Sequence, residues 1–172
     1  NITPALRSEL MSVLATLERE WQPVVDAVTG DRNIQKRTRG VGVADAALVK
    51  EAALLGPVAR AAGVDIDARR DHPYAAYGDV EFRVITQQGG DVWARLLVRA
   101  LEVFESIRII RQCLDHLPEG PLQAVIQDEL ASGRVGLSSV EAPRGEAHHF
   151  VITGENNRPR RSRVRAPTYQ NL

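Results

Sequence analysis

Residues 140–146 read Val-Glu-Ala-Pro-Arg-Gly-Glu and residues 163–169 read Arg-Val-Arg-Ala-Pro-Thr-Tyr. Between them lie His149-Phe-Val-Ile-Thr153, a turn signal at Gly154-Glu-Asn-Asn157 and a strand of alternating arginines. Apolar and β-branched residues on both sides of a Gly/Asn turn specify a β-hairpin, because Gly and Asn accept the positive φ that tight turns require. Such a hairpin carries its two proline-containing flanks to neighbouring ends of one small sheet. Pro143-Arg144 and Pro167-Thr168 are therefore expected close together, at the end of an antiparallel sheet spanning residues 139–166.

Upstream of this sheet the pattern is helical. Gly89-Gly90 interrupts the chain, Asp91 is placed as a cap, and Val92, Leu97, Leu101, Phe104, Ile107, Leu114 and Leu117 recur at helical spacing until Leu117-Pro118. The opposite face holds Arg95, Arg99, Glu102, Arg108 and Arg111, with Arg99–Glu102 and Glu105–Arg108 expected to pair three residues apart. Such a face is solvated or docks a partner. Cys113 lies on this helix and reads as a buried thiol. Pro118-Glu-Gly-Pro121 reads as a turn, and Leu122 to about Leu130 as a short polar helix or irregular segment. Further upstream, Thr3 caps a helix that has Pro4 in its first turn. Leu10, Leu14, Leu17, Trp21, Val24 and Val28 form one stripe up to Gly30. The expected fold class is α+β: a helical bundle built on residues 3–29 and 91–117, with a small C-terminal antiparallel β-sheet. Residues 1–172 are read as a single domain, mainly helical over 1–135 and a β-hairpin region over 136–172.

Several side-chain groups between these elements could carry chemistry. Arg37-Thr-Arg-Gly-Val-Gly42 contains a GxG, but no strand precedes it, no third Gly follows at the right distance and the P-loop Lys-Ser/Thr pair is absent, so a turn before a helix capped by Asp45, Ala46 to about Leu55, is the simpler reading. From Gly56-Pro57 to Tyr77-Gly78 a loop excursion is expected. It holds Asp65, Asp67, Arg69, Arg70, Asp71 and His72. Carboxylates two residues apart do not face one ligand, while the adjacent arginines offer immediate partners, so an ion-pair network outweighs a metal site. Glu141 and Glu146 have Arg144 as a nearby partner. His148 and His149 fall on opposite faces of a strand and do not form a two-ligand site.

Composition narrows the function classes. The 172 residues contain 22 basic and 22 acidic side chains, so no global field selects nucleic acid or an anionic membrane. The arginine run 158–165 has no interleaved aromatics for base stacking, which favours a solvated or partner-facing strand. No apolar run approaches the roughly 20 residues needed to span a bilayer. The one cysteine excludes a disulfide framework and cannot alone hold a cluster. Asn1 at the start and Leu172 at the end lead to the expectation that the chain is part of a longer protein.

Four blocks carry a family resemblance in order: "RTRGVGV" from Arg37, "GPVARAAGVDIDARRDHPYAAY" from Gly56, "GDVWARLLVRALEVFESIRIIRQCLDHLPEGP" from Gly90, and "VEAPRGE" with "RAPTYQNL". Together they resemble the large subunit of nickel–iron hydrogenases of the membrane-associated, formate-hydrogenlyase type, which shares ancestry with the D-type subunit of NADH:quinone oxidoreductase. The resemblance implies an oxidoreductase parent with a Ni-Fe centre that bears CO and cyanide and is held by two CxxC pairs. This sequence has neither pair, so the chain alone is expected to be inactive. Carried over by motif, Pro143 and Arg144 would lie over the open side of the metals, and Pro167 and Thr168 beside a cyanide. The related reading is a D-type protein that helps form a quinone cavity in an assembly that also uses NAD. Both imply an iron-sulfur small subunit and membrane subunits as partners, and a peripheral cytoplasmic location on the inner face of the membrane. A non-catalytic protein or RNA interaction module is the alternative from another class. Apolar surface left uncovered would favour self-association.

Overall fold

Two long antiparallel helices form the frame. The computed structural model describes residues 2–121, 123, 130–169 and 171. In chain order the helices are α1 Pro4–Gly30, α2 Arg32–Thr38, α3 Ala46–Glu51, α4 Pro57–Ala61, α5 Ala68–Asp71 and α6 Val92–Asp115. The strands are β1 Val135–Ala142, β2 Gly145–Thr153 and β3 Pro159–Arg165, and short 3-10 turns occupy Tyr77–Asp79, Glu155–Asn157 and Pro167–Tyr169. The fold class is α+β, as the periodicities imply.

Thr3 accepts the Leu6 amide at 3.2 Å with Pro4 in the first turn, so α1 begins where its cap places it. Leu14 packs with Ile107 and Leu114, flanked by Leu10, Met11 and Val103. Arg7 pairs with Asp115 at 2.8 Å, and Trp21 Nε1 donates to the Ala100 carbonyl at 2.9 Å. Steps of seven along α1 thus meet steps of seven or eight along α6 in the reverse direction, as in an antiparallel coiled-coil seam. Arg111 and Glu18 close the seam's side at 2.7 Å. The stripe expected to be covered along its length is covered on one flank only: Leu17 and Val24 remain 43% and 46% exposed. A cavity of about 230 Å³ opens beside them, lined in part by Trp21, Val28, Leu97 and Val103.

α6 is enclosed on more sides than its sequence suggests. Ile107 and Leu114 face α1, while Ala94 and Val98 meet Ala61 of α4. The expected Arg99–Glu102 pair is not made. Glu102 turns inward to Arg60 at 2.7 Å, and Arg99 donates to the Arg95 carbonyl at 3.3 Å. The expected Glu105–Arg108 pair is made, at 3.9 Å, but Glu105, 6% exposed, lies closer to the Arg83 guanidinium, at 3.0 Å. Partners contributed by other elements win over neighbours on the same helix because burial makes an unpaired carboxylate costly. Cys113 is half-buried rather than fully buried.

Local caps place the connections. Asp31 ends α1 and caps α2, a helix that lacked an apolar stripe to announce it. Asp45 caps α3, accepting the Leu48 amide at 2.8 Å. Asp91 caps α6 at 2.7 Å through the Ala94 amide and also accepts the Gly40 amide at 2.8 Å, so the GxG stretch is pinned to the helix as a turn. Burial pushes the Asp91 carboxyl up, but those amides outweigh it and hold it below the usual carboxylate range. The 56–78 excursion is not a bare loop: α4, α5 and a 3-10 turn occupy it, started by Pro57 and by Asp67, which accepts the Arg69 amide at 3.0 Å. The expected segment from Leu122 to Leu130 lies largely outside the described residues.

The sheet is antiparallel with order β1-β2-β3. The β2–β3 hairpin turns at Glu155–Asn157, where Asn156 and Asn157 take positive φ, as the sequence indicates. β1 extends the sheet back to Val135, before the expected start at 139. It joins β2 through a second hairpin whose two loop residues are Pro143 and Arg144, between paired Ala142 and Gly145.

The isolated chain is expected to self-associate through the open flank between α1 and α6. Sedimentation mass should rise with concentration and fall to the monomer in Val24→Glu; a concentration-independent monomer would refute it.

Candidate functional site

Three segments meet at one end of the sheet: the Pro143-Arg144 turn, the Leu55-Gly56 loop and the last described residues. Neither turn residue takes a positive φ, since proline holds its own negative, and Gly145 at +126° absorbs the reversal instead. A Cβ on Gly145 would come within 2.8 Å of the Gly56 amide nitrogen, so only two glycines allow the backbones to approach this closely. Asn171 stitches the third segment in. Its Oδ1 accepts the Leu55 amide at 3.1 Å, while its Nδ2 donates to the Leu55 carbonyl at 3.3 Å and the Arg144 carbonyl at 2.9 Å.

The Pro167–Tyr169 turn packs against β2, burying Pro167 and leaving Thr168 half-buried. Arg165 pairs with His148, three residues from Gly145, which brings Pro143-Arg144 and Pro167-Thr168 to the same end of the sheet. Pro143 and Arg144 are exposed. Among the described residues the Arg144 guanidinium has no hydrogen-bond or ion-pair partner.

Beneath this junction is a buried ionic hub. Arg60 on α4 is 2% exposed. Its guanidinium meets Glu102 of α6 at 2.7 Å, Glu141 of β1 at 3.0 Å and Asp67 at 3.4 Å, and donates to the Ile66 carbonyl at 3.1 Å. Asp67 also receives Arg69 in a bidentate pair at 2.6 and 2.8 Å. Glu141 accepts the Ala68 amide at 3.3 Å, and its own amide donates to the Tyr74 hydroxyl at 3.0 Å. Arg70 bridges Asp65 at 2.7 Å and Asp71 at 2.8 Å on the outside. The Asp65–His72 cluster is thus a structural network, with one correction: Glu141 pairs with Arg60, not with Arg144. No buried side-chain polar atom among the described residues is unsatisfied.

Two guanidinium groups here face three carboxylates, Asp67, Glu102 and Glu141. Burial pushes the Glu141 carboxyl up, Arg60 opposes it, and the nearby Asp67 charge adds to the rise, leaving it above its ordinary value. Arg69 is held more firmly protonated, chiefly by its hydrogen bonds to Asp67. A cleft of about 150 Å³ lies between hub and turn, walled by Gly56, Asp71, His72, Glu141 and Glu146. Among the described residues no group of three His, Cys, Asp or Glu is placed to hold a metal. His148 Nδ1 lies 2.7 Å from Ser139 Oγ and 3.9 Å from Glu146, and His149 points from the other face.

Sequence reasoning missed Arg60, Gly56 and Asn171. Arg60 had a readable signal, a single charge inside Val58-Ala-Arg-Ala-Ala62. Asn171 had none.

The chain is built as a helix pair with a sheet latched to it and one hairpin turn presented at the surface. The family described as the respiratory-chain NADH dehydrogenase 49 Kd subunit matches residues 1–137, and the chain belongs to that family. Within it, the chain sits on the branch that joins nickel–iron hydrogenase large subunits to the D-type subunits of NADH-quinone oxidoreductase. It is 37% identical to the carbon monoxide-induced hydrogenase of Rhodospirillum rubrum, over 99% of this chain and 43% of that protein. It is 39% identical to formate hydrogenlyase subunit 5 of Escherichia coli, over 90% of this chain and 27% of that protein. It is 36% identical to a D-type subunit of NADH-quinone oxidoreductase from Sinorhizobium medicae, over 98% of this chain and 48% of that protein. The chain spans less than half the length of these relatives. The family match ends at residue 137, before the hairpin turn that bears Arg144.

Glu141 supplies a pH test. A carboxyl whose folded value is raised contributes stability that is complete below its unfolded value and is lost as pH rises through the folded one. The stability of the wild type relative to Glu141→Gln should therefore decline in urea unfolding as pH rises above the ordinary carboxylate range and through the raised Glu141 titration. A relative stability that climbs with pH would mean that Arg60 outweighs burial.

Proposed function

We propose that the parent protein is the large subunit of a membrane-associated nickel–iron hydrogenase of the formate-hydrogenlyase type, and that this chain supplies groups that surround the metals. The observation that carries this reading is the convergence of the Pro143-Arg144 turn and the Pro167-Thr168 segment at one end of the sheet, with the Arg144 guanidinium left unpaired among the described residues. Two of the similar proteins are named as a hydrogenase or a formate hydrogenlyase subunit.

The donor set decides what the chain can do. One thiol, Cys113 on α6, does not fit a centre bound by four thiolates, so no step through that centre is assigned to this chain. An arginine at its rim fits a different task. A planar guanidinium offers charge-assisted donors to an anionic ligand, and the Thr168 hydroxyl can add a further hydrogen bond. Both would act on an anionic ligand held against this junction by orienting it and compensating its charge. Proton abstraction by Arg144 would need a neutral guanidine, which arginine does not readily supply, so positioning is the better assignment. An oxidoreductase parent of this kind works with an iron-sulfur small subunit and membrane subunits, which hold it at the inner face of the membrane. No helix among the described residues is long and apolar enough to cross a membrane.

The quinone-type reading rests on a specific observation of equal weight: matches to D-type subunits of NADH-quinone oxidoreductase reach 38% identity over 98% of this chain. There the same junction would border a quinone cavity, and the parent would have no CxxC pairs.

The test uses the full-length protein in its own complex. Nickel should be present near one atom per subunit, and Arg144→Lys should lower hydrogen turnover about 100-fold with nickel content unchanged, as for loss of one aimed donor. A nickel-free complex that reduces quinone would overturn the hydrogenase reading in favour of the quinone-type one.

A further inference from the structure

Cross-strand partners share a sheet face, and so do alternate residues along each strand. The register therefore sets Val135, Ile152 and Arg161 in one row and Leu137, Phe150 and Arg163 in the next, on the face that also bears Glu141 and Glu146. The glutamate end of this face is latched to the helices through Arg60. The other end overhangs them: Leu137 is 72% and Val135 64% exposed, with Phe150 and Ile152 half-buried between them and the two arginines. Among the described residues Arg161 and Arg163 have no ion-pair or hydrogen-bond partner for their side chains.

An apolar centre edged by free guanidinium groups is not what an edge strand needs merely to avoid aggregation. Charge alone does that, and exposed Leu137 and Val135 work against it. The surrounding charge is one-sided as well. Residues 130–169 contain seven arginines and three glutamates, although the whole chain balances at 22 and 22. One of those glutamates, Glu141, is already committed to Arg60.

We propose that this overhanging face is the docking surface for a protein partner that presents carboxylates around an apolar patch, Arg161 and Arg163 pairing with the carboxylates over Leu137, Val135 and Phe150. Three occupants compete for such a surface. A second copy docking face to face would set Arg161 and Arg163 against their own kind, which like-charge repulsion opposes. RNA would use the arginines but not the aliphatic centre, and the single aromatic there, Phe150, is half-buried between strands instead of offered for stacking. A protein interface uses both, since apolar centres, aromatic side chains and arginine are what such interfaces concentrate. β3 adds an open strand edge alongside, where backbone groups can be shared with the partner. The inference rests on this surface alone and holds whether the parent turns over hydrogen or a quinone.

The test places a benzophenone side chain at position 137 of the full-length protein in its native complex, with a second probe at Ser138 on the opposite face. Irradiation should join position 137, and not 138, to one segment of a different protein with Asp or Glu within a few residues of the cross-link. The double variant Arg161→Glu, Arg163→Glu should lower that yield about tenfold while the unfolding transition of the protein stays in place, because reversed charges repel the carboxylates that were paired. Cross-links to a second copy, to RNA, or only within the chain would overturn the proposal, as would an undiminished yield after charge reversal. Nickel content measured on the same preparation reports on the hydrogenase reading separately.

Discussion

One buried guanidinium joins the two halves of this fold. Arg60 reaches a carboxylate from α6, one from β1 and the cap of α5, at distances of 2.7, 3.0 and 3.4 Å. Such a cluster is not a strong source of net stability, since desolvating the charges offsets most of their attraction. Its value lies in what it forbids. Any shift of the sheet relative to the helices would leave Glu141 or Glu102 buried without its counter-charge, at a cost of several kcal/mol. The sheet is held in one pose because the alternatives are electrostatically expensive.

The remaining features of the site follow from that pose. With Glu141 fixed, the turn two residues later is fixed too, and the Gly145 backbone can lie directly against Gly56. Asn171 then ties the end of the described chain to both. The result is a junction in which the residues that hold position are buried or hydrogen-bonded while Arg144 is free. An arrangement of this sort suits a group meant to meet something from outside the chain, since the cost of ordering the backbone has already been met by the scaffold.

What the sequence made legible is what depends on local rules. Thr3-Pro4, Asp45 and Asp91 are caps by residue type and position, and all three cap as expected. The Gly154–Asn157 turn reads equally well, because Asn tolerates the conformation that turn imposes. Less was legible wherever a distant partner decides. The start of β1 mixes Val135 and Leu137 with Gly136, Ser138 and Ser139, a weak strand signal, and pairing with β2 is what orders it. Glu102 and Glu105 look like surface residues by helical spacing and become interior ones because α4 and the segment at Arg83 supply cations. Within the candidate site, the convergence of the two proline segments could be read from the hairpin, but the hub beneath it could not. Arg60 lies 81 residues from Glu141, and no local pattern connects them.

If the guanidinium latches sheet to helices, removing it should loosen the sheet first. Amide hydrogen exchange on Arg60→Met, compared with the wild type, tests this directly. Protection should fall in β1, β2 and α5 while the α1–α6 seam from Leu14 to Leu114 keeps its own, because the seam is apolar and does not use Arg60. Loss of protection spread evenly over both halves, or a sheet as protected as before, would contradict the account.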